Sequence, residues 1–275
     1  MGFSYALCSE VFSGAIEETV RQVAAIGFDG IEIAPFTIAD SVDDISAERR
    51  KEIRKICEGE GLKMVGLHWL LVSPKGLHIT TPDDGLRLRS LKYLESLTRF
   101  CRDLGGGMMV LGSPMQRNVV DGDDAASAKK RAAEGLRGVA EVCGECGVEL
   151  LLEPLHPQET NFLQTVEDAL DLASEIDHPQ VGYILDCKAM SGMPRGIVAT
   201  IEKYGKAAGH FHANEPNGMG PGMGGTLDFA PILGALKGTG YRGWVSTEPF
   251  DYKPDSDTVA RKALETLRQA AAAGD

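Results

Sequence analysis

Residues 148–186 read VELLLEPLHPQETNFLQTVEDALDLASEIDHPQVGYILD, and this stretch decides the fold. It holds one complete repeating unit. Val148–Glu153 is an apolar run suited to a buried strand, Thr165–Ile176 carries apolar residues at helical spacing, and Val181–Asp186 is a second strand-type run. Thr165, with Asp168 three residues on, is close to a capping box and marks the helix start. Both apolar runs finish on a carboxylate, Glu153 and Asp186. A carboxylate that closes so apolar a segment is costly to bury unless something compensates it.

The unit recurs in both directions. Further strand-type runs are Phe3–Cys8, Gly30–Ala34, Lys63–Trp69, Gly107–Gly112, Gly209–Ala213 and Gly243–Glu248. Between them Ile16–Ile26, Ser46–Glu60, Pro82–Leu104, Asp124–Cys146, Ile197–Tyr204, Phe229–Leu236 and Ser256–Ala272 have helical periodicity. Alternation of this kind means parallel strands joined by crossover helices. Eight such units within 275 residues predict a single (β/α)₈ barrel domain spanning residues 1–275. No G-x-G-x-x-G follows the first run, which argues against a dinucleotide-binding half. Two stretches break the rhythm, Leu71–Asp84 and the glycine-dense Pro216–Gly225. Both follow strands and are therefore expected to cover the active face. The glycine run either brings backbone amides to a phosphate or forms a flexible connection.

His212 and Glu248 close the seventh and eighth runs as Glu153 and Asp186 close the fifth and sixth, at spacings of 33, 26 and 36 residues. In a barrel those strand ends converge. Three carboxylates and an imidazole suit a divalent cation: Mn²⁺ first, with Mg²⁺, Co²⁺ or Zn²⁺ as alternatives. A cation so held would polarise the carbonyl of a sugar-like substrate. Glu153 and Glu248, on strands three apart, would reach that substrate from opposite sides as a general acid/base pair. Residues two apart on a strand face the same way. His210 therefore shares the face of His212, and Lys188 that of Asp186 if the strand persists. These two, with His68, Trp69 and Glu159, are the candidate substrate contacts.

The formal net charge of −12 argues against a nucleic-acid backbone or an anionic membrane as partner. No apolar run approaches membrane-spanning length and no signal peptide is apparent, so the expected location is the cytoplasm. The expected partner is a small sugar-like molecule, and a homo-oligomer is left open. The six cysteines show no disulfide framework, and Cys143 with Cys146 forms a lone C-x-x-C that reads as helix packing.

The segments GFDGIEIAPF, LLLEPLHPQET, ILDCKAM, GHFHANEPNGMGPGMGGTLDFAPIL and GYRGWVSTEPFDY carry a resemblance over nearly the whole chain. It is similar to the sugar phosphate isomerase/epimerase family, the xylose-isomerase-like TIM barrels that include ketose 3-epimerases. The resemblance implies Mn²⁺ or Co²⁺ on Glu153, Asp186, His212 and Glu248, proton exchange by the two glutamates, and substrate contact by Glu159. Two positions depart from it. Ala189 stands where those epimerases have a substrate-binding histidine, and Gly218 where they have an arginine. Lys188 is placed to replace part of what is lost.

The leading expectation is thus a metal-dependent sugar isomerase or epimerase acting through an enediolate. A metal-dependent lyase or dehydratase on a keto-sugar or inosose is the nearest alternative, since the same enediolate can expel a leaving group. A metal-free glycoside hydrolase would use Glu153 and Glu248 as its carboxylate pair, but leaves Asp186 and His212 unexplained. A DNA-repair endonuclease would need a basic groove and more metal ligands than six histidines and this charge supply.

Overall fold

Each apolar run pairs with the next because a crossover helix returns the chain to the same end of the sheet. In this computed structural model, which describes residues 2–273, the strands are β1 (Ser4–Cys8), β2 (Gly30–Ile33), β3 (Lys63–Leu67), β4 (Met108–Leu111), β5 (Glu149–Leu152), β6 (Val181–Asp186), β7 (His210–Ala213) and β8 (Trp244–Thr247). All pair in parallel and in sequence order, and β8 closes on β1 with Tyr5 opposite Val245 and Leu7 opposite Thr247. The crossover helices are α1 (Ile16–Ile26), α2 (Ala47–Gly59), α3 (Asp84–Leu104), α4 (Ala125–Cys146) and α5 (Val166–Ile176). After β6 come α6 (Cys187–Ser191) and α7 (Ile197–Tyr204), then α8 (Phe229–Gly238) and α9 (Ser256–Ala273). The expected (β/α)₈ barrel is therefore the fold, and the Thr165–Asp168 capping box is formed at the start of α5.

Helix α6 is an addition. The Asp186 carboxylate accepts the Ala189 amide at 2.7 Å, so the residue that ends β6 also caps a helix. This overturns the extended path expected for Lys188, which projects from a helical turn instead.

Strand alternation sorts the barrel into layers. Leu150 and Leu152 of β5 face the helices, whereas Leu151 points inward to join Ala6, Val65, Met108, Val110 and Ile184, with Trp244 packed against them. This apolar plug fills the lower interior. Two residues above Leu151 and Ile184 stand Glu153 and Asp186, so the polar layer opens only at the C-terminal face.

The two irregular loops do not cover that layer. Within 71–84, Leu71, Leu77 and Ile79 are buried, and the Thr80 hydroxyl donates to the Arg117 and Asn118 carbonyls at 3.1 and 2.9 Å. The segment is packed down against the loop after β4. In the glycine-dense loop the Glu215 carboxylate accepts the Thr226 and Leu227 amides at 3.0 and 3.1 Å, while the Gly218 carbonyl accepts the amides of Phe250 and Asp251. The loop is thereby tied to the loop after β8 through Gly218, and none of its residues lines the pocket over the donors. Cys143 is buried in α4 beside Thr98, and Cys146 is partly exposed near Arg102. Among the described residues no helix is long and apolar enough to cross a membrane.

Candidate metal centre and active site

Glu153, Asp186, His212 and Glu248 are all buried, and each offers a donor atom within 4.8 Å of those of the other three. His212 Nδ1 lies 3.3 Å from a Glu153 oxygen and 3.1 Å from a Glu248 oxygen. Neither contact has hydrogen-bond geometry, and Nδ1 is a buried nitrogen with no partner. A cation among these carboxylates would take the place of the Nδ1 proton and accept the lone pair there. The oxygen-rich donors with one imidazole fit a hard or borderline divalent ion.

Each ligand is held from behind. Asp186 accepts from the Asn214 side-chain amide at 2.6 Å as well as from the Ala189 amide. His212 presents Nε2 to the carboxylate of Glu32, at 3.1 and 3.3 Å from its two oxygens, and Glu32 also holds His210 Nε2 at 2.8 Å. Glu248 is 3.1 Å from His68 Nδ1, whose Nε2 is 2.9 Å from Glu10. Glu153 passes over Gly112, where a Cβ would lie 1.7 Å from its carboxylate oxygen. Only glycine leaves that carboxylate room. The fully buried Arg117, which donates to the Leu111 carbonyl at 2.9 Å, adds its positive charge near Glu153.

This arrangement pushes the carboxyl groups apart. Burial works to raise Glu248, but the His212 and His68 imidazoles outweigh it and hold the group at about 2. Burial raises Glu153, with His212 opposing. Burial, joined by the charges of Glu153 and Glu248, carries Asp186 to about 8. Burial would lower His212, yet Glu248 and Glu32 keep it well above the ordinary imidazole range.

A pocket of ≈ 460 Å³, counting its mouth open to solvent, lies over the four donors. Its lining includes Glu153, Asp186 and Glu248 together with His68, Trp69, Glu159, Lys188, Ser113 and Phe250. Trp69 sits at φ 52°, a left-handed conformation costly for a bulky residue, and its indole meets Phe250 edge-on at 6.2 Å. The Lys188 ammonium pairs with the Glu159 carboxylate and lies 4.8 Å from the Phe250 ring centre. Four of the five candidate substrate contacts therefore line one cavity. His210 does not: it is fully buried against Glu32 and His212, its side chain turned to the barrel interior.

The reading from sequence missed Glu10, Glu32, Asn214, Arg117 and Phe250. Glu32 carried a usable signal, a carboxylate within the apolar run GIEI. Ala189 is buried in α6 with its amide on Asp186, whereas a side chain at Gly218 would abut Phe250 of the pocket wall.

The chain belongs to the xylose isomerase-like TIM barrel family, whose model matches residues 20–270. It is similar to a probable ketose 3-epimerase of Synechocystis sp., 26% identical over 94% of this chain and 92% of that protein. It is also similar to a D-psicose 3-epimerase of Ruminiclostridium cellulolyticum, 27% identical over 90% of this chain and 83% of the other. Among solved structures, a D-psicose 3-epimerase crystallised in the presence of D-fructose shares the fold. Its TM-score is 0.85 at 22% identity, with 98% of this chain and 99% of that one covered.

Proposed function

We propose that this protein is a divalent-cation-dependent epimerase or isomerase of sugar-type carbonyl compounds, working by proton transfer at the carbon beside the carbonyl. The observation that carries the reading is the approach of both Glu153 and Glu248 to one atom, His212 Nδ1, at 3.3 and 3.1 Å, with both carboxylates lining one pocket. The epimerase relatives support it. A divalent ion, Mn²⁺ by preference, held by Glu153, Asp186, His212 and Glu248 would supply Lewis-acid polarisation of the carbonyl.

The chain's own residues do the rest. Glu248, kept ionised by two imidazoles, takes the proton from carbon, and the electron pair left behind forms an enediolate. Glu153, whose carboxyl burial keeps protonated more readily, returns a proton from the other face. Removal on one face and return on the other invert the centre. Trp69 and Phe250 wall the sugar ring, and the Lys188–Glu159 pair offers a donor and an acceptor to its hydroxyls. His68, with both ring nitrogens engaged by Glu10 and Glu248, orients the base as well as lining the pocket. A metal-free glycosidase would leave His212, within 3.3 Å of both carboxylates, without a role. The reading places the reaction in the cytoplasm.

Incubation of Mn²⁺-loaded protein with a panel of ketoses, inososes and 3-keto sugars in D₂O tests the proposal. It expects one deuterium at the inverted carbon of a turned-over sugar. Loss of water from the product instead would assign the protein to the dehydratases, and absence of any exchange would overturn the proposal.

A further inference from the structure

Glu32 is a fully buried carboxylate that the proposed chemistry does not use. It stands on β2, across the barrel from the ligand strands, and faces inward with no part in the pocket lining. An ionised carboxylate so far from water persists only where charged or hydrogen-bonding partners replace its hydration. Here both partners are imidazoles of β7: His210 Nε2 at 2.8 Å, and His212 Nε2 at 3.1 and 3.3 Å.

The two nitrogens of His212 therefore have opposite surroundings. Nε2 meets an acceptor and must carry a proton to bond it. Nδ1, without a hydrogen-bonding partner, faces Glu153 and Glu248. A neutral imidazole carries one proton, and the acceptor at one nitrogen decides that the lone pair is at the other. We propose that Glu32 is a positioning residue for the cation site: it fixes His212 as the Nε2–H tautomer, in the ring orientation that presents the Nδ1 lone pair to the ion, while His210 anchors the Glu32 carboxylate.

The arrangement has a directional logic. His210 and His212 lie two apart on one strand and face the same way, their rings 4.9 Å apart and nearly perpendicular at 83°. One carboxylate can thus take an N–H from each. A glutamate in β2 is long enough to meet both from the far side of the barrel. A glutamine would offer one acceptor in place of two oxygens and would turn an N–H₂ toward one of the rings, so it breaks the pairing while keeping the shape.

The inference rests on the cation reading of the site, and the experiment separates the two. With full-length protein and Mn²⁺ alone as titrant, wild type should bind about one equivalent. Glu32→Gln should bind about 10- to 100-fold more weakly, with the circular dichroism of the chelated protein unchanged. Equal affinity in wild type and Glu32→Gln would overturn the role of Glu32 while leaving the cation site standing. A variant that melts at lower temperature yet binds Mn²⁺ as tightly would do the same, since it would mark Glu32 as structural only. Wild type that takes up no divalent ion would overturn both readings. A measurement on the unmutated chain guards against a variant that fails to fold. In the diamagnetic Zn²⁺-loaded protein, long-range ¹H–¹⁵N spectra should show His212 ligating through Nδ1, with a downfield Nε2–H. Ligation through Nε2 would sink the proposal outright.

Discussion

Strands β5–β8 bring four cation-donor groups to the top of the barrel, whereas the chain from β1 to β3 brings Glu10, Glu32 and His68, which meet those donors from behind. Both sets are polar and, apart from the partly exposed Glu10, buried, and both lie above the same apolar plug. They differ in what their free lone pairs face. On the ligand side, Glu153, Asp186, His212 and Glu248 converge on one point. On the supporting side the polar atoms are spent largely on each other and on the ligands. A barrel interior has room for few charged groups, and pairing Glu32 with two imidazoles and His68 with two carboxylates is what lets these stay out of water. On the proposed reading the ligand side decides what the site does, and the supporting side decides how well it is aimed.

The sharpest way to break that comparison is to disable each side in turn. On the ligand side, Glu248→Gln should slow substrate-dependent solvent deuterium exchange by about 10²- to 10⁴-fold, the usual contribution of a general base. Exchange at the wild-type rate would remove Glu248 from the chemistry. Asp186→Asn should leave the purified protein with well under one equivalent of divalent metal by elemental analysis. Full occupancy would dismiss it as a ligand.

On the supporting side, His68→Gln releases Glu248 from Glu10 without touching a ligand. A drop in Mn²⁺ affinity of about 10-fold, toward the low end for an orienting partner, is expected by calorimetry. A loss as large as that in Asp186→Asn would erase the distinction between the two sides.

The pH dependence of metal uptake sharpens the same contrast. In the cation-free protein Asp186 is pushed to about 8, so below that pH the folded site holds a proton that the ion must displace. Because His212 is also held well above the ordinary imidazole range, affinity should rise by at least about tenfold per pH unit up to about 8 and continue to rise above it. A flat profile between about pH 6 and 8 would show that no proton is displaced there. The smallest effect is expected outside both sets. Lys188→Met removes the proposed contact to substrate of a part-exposed ammonium already paired with Glu159, worth about 0.2–1 kcal/mol. It should raise KM with kcat changed far less, whereas an equal fall in kcat would move Lys188 into the reacting machinery.

Much of this was legible in the chain. The eight apolar runs and their helices give the barrel, because a strand buried on both faces has to be apolar along its whole length. The four donors stood out as charged residues ending such runs. The supporting residues did not stand out in the same way. Glu10 lies in a short turn after β1, and His68 reads as a strand-end residue facing substrate. Lys188 shows a different failure: periodicity cannot reveal that the Asp186 carboxylate caps a helix one residue on, and this turns the lysine toward Glu159 by another route. The glycine-dense loop likewise reads either as a phosphate-binding run or as a flexible connection, and only the structure shows Gly218 tied to the Phe250 amide and Glu215 holding the amides that follow the loop.

The sequence by itself determined the repeating strand–helix unit, the closed barrel it implies, and the identity of the four residues that converge. These follow from local pattern and a fixed repeat length. Only the tertiary structure decided which partners stand behind those four. Glu32 meets His212 from 180 residues away, and His68 meets Glu248 across the same separation. No periodicity spans that distance. Barrel closure brings the two halves together, and burial then selects the pairings, since a polar atom without water must find its partner in whatever strand lies opposite.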